Sequence, residues 1–81
     1  MFTKSKYIII GRDEMPIVFP EVLKHSDVAR MMGGEQNVTG AGFCHIIDDK
    51  YVCYGESTSL NVKSRGQQDS RILNFLLGAA E

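Results

Sequence analysis

The chain lacks any long hydrophobic run. Its most apolar stretch near the N-terminus holds only three consecutive isoleucines, Ile8 to Ile10. A secretory signal needs about 7–15 apolar residues, and a membrane-spanning helix needs about 20. The sequence therefore predicts a cytoplasmic protein without a membrane segment.

Motifs for metals and nucleotides are also missing. The two cysteines, Cys44 and Cys53, lie on either side of a predicted turn, and neither a CxxC pair nor a His-x-x-x-His run accompanies them. The glycine-lysine pattern that cradles nucleotide phosphates is absent as well. We expect no metal and no cofactor, and we expect two free thiols that are mostly buried.

Charge gives no global attraction for nucleic acid. The formal net charge of the 81 residues is -1, while 43% hydrophobic and 23% charged residues are typical of a globular protein. Binding of DNA or RNA would therefore need a local basic patch.

Hydrophobic patterning predicts a single α+β domain over residues 1–81. The predicted order is β-β-α-β-β-α, as two ββα units at residues 6–34 and 43–78 after a flexible lead-in at residues 1–5. The units form a four-stranded antiparallel sheet with two helices on one face. We treat the likeness of the two halves as pseudo-symmetry, in which the second strand-to-helix connection is the longer one.

Local signals set the predicted elements. Pro16 places the second strand at a sheet edge or a bulge, because proline donates no ladder hydrogen bond. Ser26 predicts the start of a short helix whose apolar side includes Met31 and Met32. Ser64 and Gln67 match a capping box that opens the second helix. The apolar stripe of that helix comprises Ile72, Leu73, Phe75, Leu76 and Leu77.

The first strand is apolar on both faces. Tyr7 and Ile9 point one way, and Ile8 and Ile10 point the other. If both helices cover one face, the second face needs another partner. We therefore expect a homodimer.

The second hairpin leaves its register open. A two-residue turn at Asp48 and Asp49 places Cys44 opposite Cys53, whereas a three-residue turn places His45 opposite Cys53 and makes a Cys–His pair conceivable. No acidic partner for His45 follows from the sequence, so no catalytic residue is assigned.

The polar segment at residues 55–65 is the strongest candidate for recognition. Its hydroxyl, amide and basic side chains precede a helix N-terminus, where a phosphate or carboxylate can bind. Aromatic residues and arginine often dominate interfaces. The predicted binding residues are His45, Tyr51, Tyr54, Glu56, Ser57, Thr58, Lys63 and Arg65.

Three longer stretches resemble small accessory proteins of bacteriophages and prophages. They are FPEVLKHSDVA, GAGFCHI and VCYGESTSLNVKSRGQQDSRIL. The resemblance implies a compact viral protein of the host cytoplasm, not an enzyme. It implies a binding module that acts by contact with a bacterial host protein, such as a CRISPR defence complex.

Two alternatives remain open at this point. One is nucleic-acid binding, with Lys63, Arg65 and Arg71 on phosphates beside Tyr54. The other is a small thiol-dependent enzyme or ligand binder that uses Cys44, His45 or Cys53.

Overall fold

The computed structural model describes residues 4–78 and shows an α+β fold with a four-stranded antiparallel sheet and two helices. The predicted fold class is confirmed. The strands are β1 (Ser5–Ile10), β2 (Met15–Pro20), β3 (Val38–Ile47) and β4 (Lys50–Tyr54), in the spatial order β2-β1-β3-β4. The helices are α1 (His25–Met31) and α2 (Gln67–Leu77), with a 3-10 turn at Glu35–Asn37.

Two features lie at the borders of the predicted units. The segment predicted as a polar loop contains a small hairpin of β5 (Glu56–Ser57) and β6 (Val62–Lys63). Part of the predicted lead-in, residues 1–3, lies outside the described residues. Within residues 4–78, neither helix is long and apolar enough to cross a membrane.

The β3–β4 hairpin turns on two residues. Asp48 and Asp49 both have positive φ, at 52° and 65°, as the tight turn that matches strand twist requires. Cys44 consequently pairs with Cys53. The three-residue register is wrong. His45 lies opposite Val52, so it is not the cross-strand partner of Cys53 and the Cys–His pair is not formed.

Both edges of the sheet are protected. Pro16 lies on β2, which is an edge strand as predicted. At the opposite edge, α2 supplies side-chain partners to the outer backbone groups of β4. Ser70 Oγ accepts a hydrogen bond from the Cys53 N–H (2.9 Å), and Asn74 bonds both the N–H and the carbonyl of Tyr51 (2.7 and 3.2 Å). These hydrogen bonds satisfy backbone N–H and carbonyl groups of β4 that could otherwise pair with an additional strand.

The helices lie on opposite faces of the sheet, and the prediction that they share one face is wrong. On one face, Tyr7 and Ile9 pack with Leu73 of α2. On the other face, Ile8 packs with Val28 and Ala29 of α1. Each face of β1 is thus covered within the chain. The homodimer stays a prediction, but the uncovered face from which it was argued does not exist.

The connection after β4 explains this arrangement. Val62 of β6 packs with the apolar cluster on the α1 face. Two residues later, Ser64 Oγ lies 2.7 Å from the Tyr7 hydroxyl on the α2 face. The chain therefore changes faces between Val62 and Ser64, and α2 begins on the side opposite α1.

Several residues predicted to be in the core are exposed instead. Phe75 is 86% exposed, and Leu76, Leu77, Met31 and Met32 are exposed too. Because α2 also follows the outer edge of β4, only the side that carries Asp69 and Leu73, four residues apart, is fully buried.

Neither predicted side-chain cap forms. Helix α1 begins at His25, one residue before Ser26, and has no capping side chain. Helix α2 likewise has none, since Ser64 Oγ accepts a hydrogen bond from the Gly66 N–H instead.

Candidate functional site

A single row of side chains crosses all four strands on the α1 face. Lys6 of β1 pairs with Phe19 of β2 and with Phe43 of β3, and Phe43 pairs with Tyr54 of β4. Directly paired residues project to the same side of a sheet. The row therefore places one amine among three aromatic rings at one level of the sheet.

Three members of this row, Lys6, Phe43 and Tyr54, form the floor of an open cleft of about 700 Å³. We call it the lysine–aromatic cleft. It lies within the size range of small-molecule and cofactor sites, about 300–1,000 Å³. Its walls come from the chain before β1, the start of α1, and the segment that follows β4. The lining residues are Lys4, Lys6, Lys24, His25, Ser26, Phe43, Tyr54, Gly55, Glu56, Thr58 and Ser59.

The cleft is locally basic although the whole chain carries a net charge of -1. Lys4, Lys6 and Lys24 line it, against the single carboxylate of Glu56. Lys6 Nζ is fixed by a hydrogen bond to the carbonyl of Leu23 (2.7 Å), which leaves its other hydrogens for a ligand. Lys4 Nζ lies 3.3 Å from Glu21, an exposed pair of little energetic weight.

Ring contacts continue along the floor of the cleft. The Phe43 and Tyr54 rings are stacked with centroids 6.0 Å apart, and the His45 ring lies 5.0 Å from Tyr54. Lys4 Nζ lies 4.4 Å above the Phe43 ring, within cation–π range. Tyr54 is 36% exposed, so part of its ring remains accessible to a ligand.

His25 is a buried part of the wall. Its ring meets Phe19 and Phe43 edge-on, at centroid distances of 5.6 and 5.8 Å. Nε2 lies 2.7 Å from the carbonyl oxygen of Gly42, and because a carbonyl only accepts, Nε2 is the donor. Burial lowers the pKa of His25, the Gly42 bond opposes that effect, and nearby Lys6 adds to it. His25 is therefore neutral near pH 7.

A second polar cluster lies on the α2 face and links distant parts of the chain. The fully buried Asp69 carboxylate accepts hydrogen bonds from the Tyr7 hydroxyl (2.5 Å), the Arg65 N–H (2.9 Å) and Arg65 Nε (2.7 Å). Arg65 Nη1 bonds Glu14 at 2.7 Å. This buried network joins β1, the first turn, the chain before α2, and α2 itself.

The protonation states of the buried network suit a structural role. Burial and the hydrogen bond to Asp69 raise the pKa of Tyr7 far above its ordinary value, so the phenol remains a donor. Desolvation alone would lower the pKa of Arg65, but Glu14 and Asp69 outweigh it and raise that pKa. The anion expected near the start of α2 is thus supplied by the chain itself.

The thiols are free and buried, as predicted. Burial and the neighbouring Cys53 raise the pKa of Cys44 to about 12, and burial raises the pKa of Cys53 to about 11. A thiolate is the reactive form of cysteine. The structure therefore gives neither cysteine the environment of a nucleophile. Among residues 4–78, no group of three or more His, Cys, Asp or Glu side chains is placed to hold a metal ion.

The structure brings together only some of the predicted binding residues. Tyr54, Glu56 and Thr58 line the lysine–aromatic cleft, and His45 contacts Tyr54. The other four predicted residues do not line this cleft. Tyr51 packs on the α2 face, and Ser57 is buried and accepts a hydrogen bond from the Leu60 N–H. Lys63 pairs with Glu56 across β5 and β6, and Arg65 forms hydrogen bonds with Asp69 and Glu14.

Sequence reasoning missed the three lysines, His25 and Phe43. One signal was present, since Lys4 and Lys6 have the i, i+2 spacing that directs side chains to one face of a strand. Their convergence with Lys24 depends on how α1 packs, which the local pattern does not specify.

Comparison with known proteins adds no further constraint. No protein-family model, no curated protein and no solved structure matches the chain. The resemblance to bacteriophage proteins stays a prediction.

Proposed function

We propose that the protein is a binding module that recognises a negatively charged ligand in the lysine–aromatic cleft. One observation carries the proposal. Three lysines converge over an aromatic floor in a chain whose overall charge is negative. Such a concentration of one charge in a concave site raises the local concentration of the opposite charge.

The proposed mode of action is binding without a chemical step. Two polar groups of the cleft are already engaged in hydrogen bonds within the protein. His25 donates to the Gly42 carbonyl, and Ser59 Oγ accepts a hydrogen bond from the Ser26 N–H. The cysteines lie in the cluster on the opposite face. This arrangement supports recognition better than the alternative of a thiol-dependent enzyme.

A polyanion column tests the proposal directly. At about 50 mM salt we expect retention on heparin or phosphocellulose and elution as salt rises. The Lys24→Ala variant should elute earlier, because Lys24 is an exposed lysine of the cleft. The matched control is Lys50→Ala, which removes the same charge from an exposed position outside the cleft and should elute with the unmodified protein.

The result that overturns the proposal is equally clear. A protein of net charge -1 that passes through the column at low salt has no effective basic site. Equal loss of retention in the Lys24→Ala and Lys50→Ala variants would place the binding outside the cleft.

A bacterial host protein, the partner expected from the sequence, is a second candidate ligand for this cleft. An acidic protein segment supplies the charge that the lysines require. Tyr54, one of the predicted interface anchors, lines the cleft and is partly exposed. Competition by poly-glutamate distinguishes this candidate from other polyanions.

A further inference from the structure

We infer that the ligand of the lysine–aromatic cleft is a single-stranded nucleic acid, an inference that rests on the proposed function. Such strands need two things from a protein: cations for the phosphates and flat rings on which unpaired bases stack. Lys6, Phe43 and Tyr54 provide both in one cross-strand row.

The geometry divides these tasks between neighbouring side chains. The ring of Phe43 already has the Lys4 amine above it, at 4.4 Å. The partly exposed ring of Tyr54 lies beside it, stacked on Phe43. The Tyr54 ring is the surface available to a base, and Lys4 is a cation within the same cleft for its phosphate. Lys24 lines the same cleft and supplies a cation for a second phosphate.

The polar wall favours a nucleobase over a simple anion. Glu56 lines the cleft together with Thr58 and Ser59. A carboxylate repels phosphate, but it accepts hydrogen bonds from the amino groups on base edges. The hydroxyl of Thr58 can either donate or accept a hydrogen bond, as base edges require.

The shape of the site argues for an unpaired strand. The lysines lie within a concave cleft, whereas the phosphates of a duplex lie on a convex surface and its bases are stacked inside. Aromatic side chains reach bases only where they are splayed out. An acidic peptide satisfies the lysines but gives Tyr54 no base to stack on.

The test measures anisotropy of a labelled oligonucleotide of about 12 nucleotides, within the range of known single-strand sites. We expect a log–log salt slope of about -2, because about 0.7 counterions are released for each of the three lysines on a single strand. Lys24→Ala should reduce the magnitude of that slope by about 0.7.

Two Tyr54 variants isolate stacking from charge. Tyr54→Leu keeps apolar volume but removes the ring, and it should weaken oligonucleotide binding by roughly 5- to 150-fold. Tyr54→Phe keeps the ring and should bind like the unmodified protein. Circular dichroism checks that both variants fold, and Lys24→Ala provides a test that leaves the aromatic floor intact.

Competitors separate the possible outcomes. If inorganic polyphosphate binds as well as the strand and Tyr54→Leu changes nothing, the nucleic-acid inference fails while the proposed anion site stands. If poly-glutamate or duplex DNA binds more tightly than the single strand, the inference also fails. If no polyanion binds, the inference and the proposed function fail together.

Discussion

Removing the Tyr7 hydroxyl tests whether the buried network stabilises the fold. In the Tyr7→Phe variant, Asp69 loses the hydrogen bond now measured at 2.5 Å. It keeps the two bonds from Arg65, at 2.9 and 2.7 Å. Hydrogen bonds to charged groups contribute about 1.5–3 kcal/mol each. We therefore expect the free energy of unfolding to fall by about 2–3 kcal/mol.

That loss is large for a chain of this size. At about 0.05–0.15 kcal/mol per residue, the whole domain has roughly 4–12 kcal/mol of stability. In domains of 60–100 residues, 1 kcal/mol shifts Tm by about 4–8 °C. The Tyr7→Phe variant should consequently melt roughly 8–24 °C below the unmodified protein.

The assay is urea and thermal unfolding followed by far-UV circular dichroism, because the chain contains no tryptophan. Tyr51→Phe is the matched control. Tyr51 is half-buried on the same face of the sheet, and its contacts with Asn74 use backbone atoms only. Its variant should lose less than about 0.5 kcal/mol. If the two variants lose equal stability, the Tyr7–Asp69 bond has no special weight and the argument fails.

Three further expectations follow from close contacts and buried titratable groups. Gly42→Ala would place a Cβ 2.5 Å from the backbone oxygen of Tyr54, so we expect a loss of about 3 kcal/mol or failure to fold, measured by thermal melting; a stable variant would contradict this. Because burial lowers the pKa of His25, the unfolded chain takes up the proton first as pH falls. Stability should therefore decline below about pH 6.5. His25→Gln, which retains a donor for Gly42, should flatten that part of the profile, and an unchanged slope would assign the effect to other groups. Finally, with pKa values of about 12 for Cys44 and about 11 for Cys53, both thiols should react with iodoacetamide only after unfolding. Labelling of the native protein at the rate of a free thiol would refute their inert environment.

Local signals were sufficient for the order of the elements and the position of the hairpins. A β-branched, isoleucine-rich run located β1, and Pro16 located an edge strand. The apolar strands on either side of Asp48 and Asp49 located the second hairpin. Each of these signals acts between residues close in sequence, where turn geometry and strand pleat determine the outcome.

Local sequence signals did not determine on which face of the sheet each helix packs. In this sheet, a two-fold axis normal to its plane would relate the antiparallel central strands and put both helices on one face. The longer second connection breaks that symmetry, and its length alone does not reveal on which side it ends. The exposed Phe75 and the buried Asp69 follow from the same choice of face.

The buried network shows why a functional-looking residue was misjudged. Arg65 in a polar segment before a helix is typical of an anion site. Its partner Asp69 is one helical turn away, but the Tyr7 hydroxyl that completes the network is 62 residues away in sequence. Only the packed structure shows that the charge of Arg65 is already balanced by Asp69 and Glu14.

The segment at residues 55–65 matters for a reason different from the one the sequence suggested. Its first half, with Glu56 and Thr58, forms one wall of the lysine–aromatic cleft. Its second half, with Ser64 and Arg65, enters the buried network on the opposite face. Replacement of the whole segment would therefore alter both the proposed binding cleft and the buried network. The Lys24→Ala substitution avoids that coupling, because Lys24 lines the cleft whereas the network around Asp69 lies on the opposite face of the sheet.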